Sequence, residues 1–217
     1  MASLSPISLS HKVIAIDGPA ASGKSTVARL VAKKLGFVYV NTGAMYRAVT
    51  WLALRHGVDP CDPQAVSALL GSVPMEFGVK ENESTIRIEG LDPSPYLNDP
   101  EVAAHVSAIA AIPQVREVLV ARQREFARDY DLVMEGRDIG TVVFPETRLK
   151  FYIDASEEVR AQRRSAQGIL EDLASRDKKD STRKAAPLKI ADGAQVIDST
   201  YLTIEGVVET VVRQLEL

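Results

Sequence analysis

Residues 16–26 read IDGPAASGKST, and this stretch decides the fold of the chain. The run KVIAID (12–17) is apolar and β-branched, which is typical of a strand buried on both faces. From Val27 to Leu35, apolar residues recur at helical spacing. Between the two lies the pattern G-x-x-x-x-G-K-[ST], with every fixed position matched. The stretch therefore predicts a strand, a phosphate-binding loop and a helix.

The loop is expected to hold the phosphates of a nucleoside triphosphate. Its glycines let backbone N–H groups converge on phosphate oxygens, and the start of the helix adds its positive dipole end. Lys24 is expected to reach the terminal phosphates, and the Ser25 hydroxyl is expected to bind Mg²⁺. The predicted triphosphate-binding residues are Gly18, Pro19, Ala20, Ala21, Ser22, Gly23, Lys24, Ser25 and Thr26.

Further runs resemble strands, and helical patterns separate them. They are FVYV (37–40), LVME (132–135), LKFYID (149–154) and AQVID (194–198). Alternation of strands and helices favours a parallel sheet with helices on both faces. The predicted fold is therefore α/β, a P-loop NTPase-type five-stranded parallel sheet flanked by helices.

One region departs from this alternation. Residues 75–90 have the pattern of short antiparallel strands around a polar turn, and a proline-rich stretch follows them. We expect a small inserted antiparallel β lobe over about 72–100. Two helices should follow, beginning at Asp99 and Pro113. The predicted apolar face of the second consists of Val115, Val118, Leu119, Phe126 and the stem of Arg122.

Composition is that of an ordinary globular protein and argues against several functions. The net charge of −3 disfavours general binding to nucleic acid or to a membrane surface. No run is long and apolar enough to span a bilayer. Cys61 is the only cysteine, so an internal disulfide is impossible and a reducing compartment is expected. We expect a cytoplasmic monomer with a disordered stretch at residues 1–11.

The motif NTGAMYR (41–47) follows a predicted strand, at the position where ligands bind in open α/β sheets. Thr42 offers a hydroxyl there, and Arg47 lies one helical turn further on, where it suits an anion. The alternative is a helix cap followed by a solvated arginine.

The motif EGRD (135–138) ends another predicted strand. Arg137 suits a phosphate, whereas Glu135 and Asp138 suit hydrogen bonds to a base or sugar, or water ligands of the metal. The alternative is a salt-bridged turn.

A charged segment, RDKKDSTRKAAPL (176–188), carries Arg176, Asp180 and Arg183. Phosphoryl transfer requires mobile cations that meet the charge on the transferred group and exclude water. We therefore expect a mobile, closing segment, with a solvated charged face as the alternative. Arg116 lies on an arginine-rich helix, where exposure to solvent is the expectation from the sequence around it.

A GTPase would require a base-reading N-K-x-D and a D-x-x-G after a strand. Neither NTGAMYR nor DIGTVV supplies those residues in that order. A kinase and a module that only binds nucleotide are the alternatives that remain.

Several elements, taken in order, resemble bacterial-type cytidylate kinase, a nucleoside monophosphate kinase family. They are IDGPAASGKST, NTGAMYR, VREVLVARQREF, EGRDIGTVVFP, FYIDAS, RDKKDSTRKAAPL and VIDST. The resemblance implies a phosphotransferase with a phosphate-group acceptor, which converts ATP and CMP or dCMP into ADP and the diphosphate with Mg²⁺ as cofactor. It also implies a mobile lid, which is short in this chain, and a monophosphate-binding lobe enlarged by an insertion.

The resemblance also implies roles for particular residues. The acceptor phosphate would contact Arg47 and Arg137. The substrate site around the cytosine and ribose would consist of Thr42, Arg116, Glu135, Asp138, Arg176, Asp180 and Arg183. The ATP end would include Arg160 and Arg164. The residues expected to act in catalysis are Lys24, Arg137, Arg176 and Arg183.

By this resemblance, residues 12–217 form one kinase unit. Its core would be about 12–40, 113–160 and 187–217, with a monophosphate-binding lobe at 41–112 and a lid at 161–186. Compared with the family, Thr42 replaces a serine, Glu135 replaces an aspartate that is also common there, and the lid segment is shorter. The nearest alternative is a kinase of another nucleoside monophosphate or a small alcohol.

Overall fold

A computed structural model describes residues 11–166 and 173–215. The disorder expected for residues 1–11 therefore lies, apart from His11, outside the described residues. The strands are β1 (Val13–Asp17), β2 (Val38–Asn41), β3 (Met75–Lys80), β4 (Glu83–Ile88), β5 (Leu132–Gly136), β6 (Leu149–Asp154) and β7 (Gln195–Asp198). The helices are α1 (Lys24–Leu35), α2 (Thr42–Arg55), α3 (Pro63–Ser72), α4 (Pro100–Ala111), α5 (Pro113–Asp129), α6 (Glu157–Ala166), α7 (Leu173–Thr182) and α8 (Ile204–Leu215). A π-helical turn covers Ile139–Val143.

The parallel core has the five predicted strands, in the order β2-β5-β1-β6-β7. Every residue of β1 and β5 is buried, which explains why both are continuous apolar runs up to their last residues. The carboxyl ends of these strands lie side by side, with Asp17 opposite Gly136 and Asn41 opposite Glu135. The predicted α/β fold and its five parallel strands are confirmed, but the whole sheet has seven strands rather than five.

The predicted antiparallel strands form a hairpin, β3 and β4, but the hairpin is not separate from the sheet. It extends the sheet at the β2 edge, giving seven strands in the order β3-β4-β2-β5-β1-β6-β7. Tyr39 pairs with Glu83, and the Tyr39 N–H donates to the carbonyl oxygen of Asn82 at 2.8 Å. This pairing covers an edge that β2 would otherwise leave open.

Helices cover both faces of the sheet, and alternate residues of β1 serve the two faces. Ile14 and Ile16 pack with α1 and α8. Val13 and Ala15 pack with α5 and the π-helical turn. A third cluster joins α2, α3, α4 and α5, and it holds α2 and α4 beside the carboxyl ends of the strands.

The apolar face predicted for α5 was wrong at Val118, which is 37% exposed. Some of the buried positions of α5 are instead occupied by polar residues, because these have hydrogen-bond partners there. The Arg124 guanidinium donates to the carbonyl oxygens of Val143 and Val142, at 2.9 and 3.0 Å. Residue type alone therefore misassigned this face.

The charged segment that was expected to be mobile forms helix α7 over Leu173–Thr182. Leu173 and Asp180 are its buried residues. Residues 167–172 of the predicted lid lie outside the described residues. Among the helices that the structure describes, none combines the length and the apolar character needed to cross a membrane.

Candidate active site

A cavity of about 430 Å³ opens beyond the carboxyl ends of β1, β2 and β5. Its lining brings together residues predicted from distant parts of the chain: Ala20, Ala21, Gly23, Lys24, Ser25, Thr26, Thr42, Arg47, Glu135, Arg137, Asp138, Arg164, Arg176, Asp180 and Arg183. The other predicted residues, Gly18, Pro19, Ser22, Arg116 and Arg160, do not line it.

The phosphate-binding loop has the shape that its glycines predict. A Cβ at Gly18 would lie 2.1 Å from the carbonyl oxygen of Ile153, so only glycine fits. Gly23 has a left-handed backbone, with φ of 89°, immediately before α1. The Lys24 ammonium is buried and donates to the carbonyl oxygen of Pro19 at 2.8 Å. Gly23 and the first residues of α1, Lys24, Ser25 and Thr26, line the cavity, which is the position of a phosphate site at a helix N-terminus.

The cavity concentrates positive charge. Burial, followed by the nearby charge of Arg137, lowers the pKa of Lys24 to about 7. Burial likewise lowers the pKa of Arg47 to about 10, with Arg176 as the next cause. A bound anion stabilises the charged form of such buried cations. The electrostatics therefore suit a ligand that carries several phosphates.

The ends of β2 and β5 meet closely at the floor of the cavity. The Thr42 hydroxyl donates to the carbonyl oxygen of Glu135 at 2.8 Å. A Cβ at Gly136 would lie 2.6 Å from the Thr42 hydroxyl oxygen, so glycine permits this approach. The Glu135 carboxylate is buried and accepts from the Tyr39 hydroxyl at 3.4 Å.

Arg116 is only 6% exposed, so the solvated position expected from its arginine-rich helix was wrong. Its guanidinium forms an ion pair with Asp138 and donates to the Tyr46 hydroxyl at 3.2 Å. The Arg183 guanidinium lies 3.4 Å from the other oxygen of Asp138. Tyr46, Asp138 and Arg183 line the cavity, and Arg116 supports them without lining it.

Helix α7 contributes Asp180, which is 5% exposed. Its carboxylate accepts from Arg137 Nε at 2.9 Å and from the Ser107 hydroxyl of α4 at 3.2 Å. Burial alone would raise the pKa of Asp180, but the charges of Arg137 and Arg176 outweigh it and lower the pKa. Asp180 therefore connects the predicted lid to the end of β5 and to α4.

Two arginines of α6 contact the phosphate-binding loop. Arg160 donates to the carbonyl oxygen of Ala20 at 3.2 Å and pairs with Asp177 of α7. Arg163 donates to the carbonyl oxygen of Ser22 at 3.2 Å and to that of Ser199 at 2.9 Å.

Sequence reasoning missed four residues that build this site: Asp17, Tyr46, Ser107 and Arg163. Tyr46 and Arg163 adjoin predicted residues, so their neighbours were the only signal. Ser107 lies on helix α4 with no motif around it, and Asp17 ends a buried strand, where a carboxylate needs partners. That last requirement could have identified Asp17.

Comparisons with known proteins agree with this geometry. A sequence model of the cytidylate kinase family matches residues 14–217. Cytidylate kinase from Streptococcus pneumoniae (strain 70585) is 48% identical over 215 residues, covering 94% of this chain and 96% of that protein. The protein of that name from S. pneumoniae serotype 4 (strain ATCC BAA-334 / TIGR4) is 47% identical, with the same coverage.

One solved structure with a similar fold is an uncharacterized protein from Eubacterium ventriosum ATCC 27560. It has a TM-score of 0.50 and 10% identity, and the match covers 95% of this chain and 99% of that one. This likeness concerns the fold alone. The family match is stronger, since it extends from β1 through α8 and includes every element around the cavity, and it shows that the chain belongs to the cytidylate kinase family.

Proposed function

We propose that this protein transfers the terminal phosphate of ATP to CMP or dCMP, producing ADP and CDP or dCDP. The observation that carries the proposal is a single cavity lined both by a phosphate-binding loop and by a second group of cations. A module that only binds a nucleoside triphosphate does not require the second group of cations. Family membership supports cytidine monophosphate as the acceptor.

The donor phosphates bind to the backbone of the loop and to Lys24 in this proposal. The Ser25 hydroxyl lines the cavity and is suited to Mg²⁺ held with the ATP phosphates. The described residues contain no group of three or more His, Cys, Asp or Glu side chains arranged as a metal cage. That donor set fits a magnesium ion that takes most of its ligands from phosphates and water, where it neutralises charge on the phosphates. Arg164, which lines the cavity, and Arg160, which braces the loop, act at this end.

The acceptor phosphate binds between Arg47 and Arg137. Both guanidiniums line the cavity, and burial together with the nearby charge of Arg176 lowers the pKa of Arg47, so a bound anion would stabilise its charged form. Arginine holds a phosphate through paired N–H groups, which fixes its orientation as well as its position.

The base is read by Thr42, Asp138 and Arg183, with Arg116 holding Asp138 in place. A carboxylate accepts from an exocyclic amino group and a guanidinium donates to a carbonyl, which matches the edge of cytosine. Asp180 and Arg176 reach the ribose, and Glu135 completes the substrate site at the end of β5.

The transfer is in line, and positioning and charge provide most of the catalysis. The acceptor phosphate is the nucleophile and is ionised near neutral pH, so it requires no strong general base. Lys24, Arg137, Arg176 and Arg183 meet the negative charge on the transferred group. We also propose that the unit is a cytoplasmic monomer of core, monophosphate-binding lobe and lid, consistent with its single cysteine and small net charge.

A coupled assay of ADP formation tests the proposal with CMP, dCMP, UMP, AMP and shikimate as acceptors. CMP and dCMP should give the highest rates. A higher rate with AMP than with CMP would reject the acceptor, and no ADP with any acceptor would favour a nucleotide-binding module.

A pair of variants makes this assay specific to the acceptor site. Arg137→Met should lower kcat/KM for CMP by about a hundredfold or more, because it removes a buried charge contact. Arg148 is exposed and precedes β6, at the end of that strand away from the cavity. Arg148→Met should therefore leave kcat/KM for CMP unchanged.

A further inference from the structure

Asp17, the last residue of β1, has a buried carboxylate that no step of the proposed reaction uses. It is 3% exposed. One carboxylate oxygen accepts from the backbone N–H of Ile139, and the other accepts from that of Gly140, both at 2.8 Å. Buried polar atoms need hydrogen-bond partners, and these two amides provide one for each oxygen of Asp17.

These two amides begin the π-helical turn that directly follows Arg137 and Asp138. Gly136 directly precedes Arg137 and packs tightly against the turn. A Cβ at Gly136 would lie 2.7 Å from Ile139 Cδ1. The Arg137–Asp138 pair is therefore held between a fixed strand end and a turn whose first amides are fixed by Asp17. The position of both acceptor-reading side chains depends on that turn.

Asp17 also directly precedes Gly18, the first glycine of the phosphate-binding loop, and lies opposite Gly136 in the sheet. One side chain thus joins the start of the donor loop to the start of the acceptor turn. We propose that Asp17 is a positioning residue for the acceptor nucleotide, which holds Arg137 and Asp138 toward the cavity through the amides of Ile139 and Gly140. The proposal rests on the proposed function.

The chain offers a matched control at the other end of the same strands. The Asp131 carboxylate also accepts from a backbone amide, that of Lys12, at 2.7 Å, and lies 3.3 Å from His11 Nδ1. Asp131 immediately precedes β5 and is far from the cavity along the strand. Asn at position 17 keeps one acceptor oxygen but turns its NH₂ donor toward the other of the two amides. At position 131 both contacts are to Oδ1, so Asn keeps that acceptor.

The test compares Asp17→Asn with Asp131→Asn and with the unchanged protein. KM for CMP and the Kd for CMP from calorimetry should rise about tenfold to a hundredfold in Asp17→Asn, with KM for ATP changed less than about threefold. Asp131→Asn should leave all three constants unchanged. A merely structural role would lower thermal stability without separating CMP from ATP.

A folded Asp17→Asn protein with unchanged CMP affinity, or with equal losses for CMP and ATP, would overturn the proposal. If Asp17→Asn fails to fold, hydrogen exchange in the unchanged protein decides: the Ile139 and Gly140 amides should be protected, and exchange at the rate of an open loop would overturn it. Failure of the proposed function is distinguishable, because the unchanged protein would then form no ADP with any acceptor.

Discussion

Replacing Arg116 by Met should destabilise the protein strongly, although the residue lies outside the cavity lining. Arg116 and Asp138 are 6% and 5% exposed and form an ion pair. Met retains most of the apolar stem of Arg116, but it leaves the buried Asp138 carboxylate without this charged partner. Removing one partner of a buried pair costs about 3–5 kcal/mol.

The structure favours the lower end of that range. The Arg183 guanidinium lies 3.4 Å from Asp138 and retains part of the compensation. The expected loss is therefore about 3 kcal/mol in the free energy of unfolding. For a chain of this size, that loss corresponds to a fall in Tm of about 6–12 °C.

Arg122→Met, on the same helix, is the control. Arg122 pairs with Glu125 at 2.8 Å, but their side chains are 47% and 44% exposed. An exposed pair of this kind contributes about 0.5 kcal/mol or less. Urea unfolding followed by circular dichroism measures both variants. Equal losses in the two, or a loss below about 1 kcal/mol in Arg116→Met, would refute the reasoning that burial of the Arg116–Asp138 pair sets its importance.

Three further predictions follow from other contacts. Arg183→Ala should retain KM for ATP but lower kcat by about 10³-fold or more in steady-state kinetics, and unchanged turnover would remove Arg183 from the transfer step. Gly18→Ala should abolish ATP binding in calorimetry, because its Cβ would meet the Ile153 carbonyl oxygen at 2.1 Å, whereas Gly71→Ala has no atom within 4 Å of its Cβ and should bind normally. Burial raises the pKa of Asp17 from 3.8 to about 7, so its contribution to folding is greatest below about pH 4 and is lost as pH rises through 7. Asp17→Asn should therefore flatten the pH dependence of Tm between pH 4 and 7, and parallel curves would contradict this reasoning.

Local signals were enough to predict the core of the fold and the donor loop. Strands buried on both faces appear as continuous apolar runs, and β1 and β5 are such strands. The fixed spacing of Gly18, Gly23 and Lys24 reflects backbone geometry within one loop, so it is visible without the rest of the structure.

The features that sequence reasoning missed depend on contacts between distant residues. Arg116 is buried because Asp138 and Tyr46, on other elements, offer it partners. Helix α7 was missed because a charged run lacks the apolar stripe that marks a helix, and its buried Asp180 is stabilised by Arg137. The attachment of the hairpin to β2 rests on the pairing of Tyr39 with Glu83, which no local pattern specifies.

The central claim is that one cavity transfers a phosphoryl group from ATP to a cytidine monophosphate. Phosphorus NMR of the protein with ATP, Mg²⁺ and CMP tests it most directly, because it identifies both products. We predict that the γ-phosphate signal of ATP is lost as the signals of ADP and CDP appear in equal amounts. Release of inorganic phosphate without CDP, or an unchanged spectrum, would contradict the account.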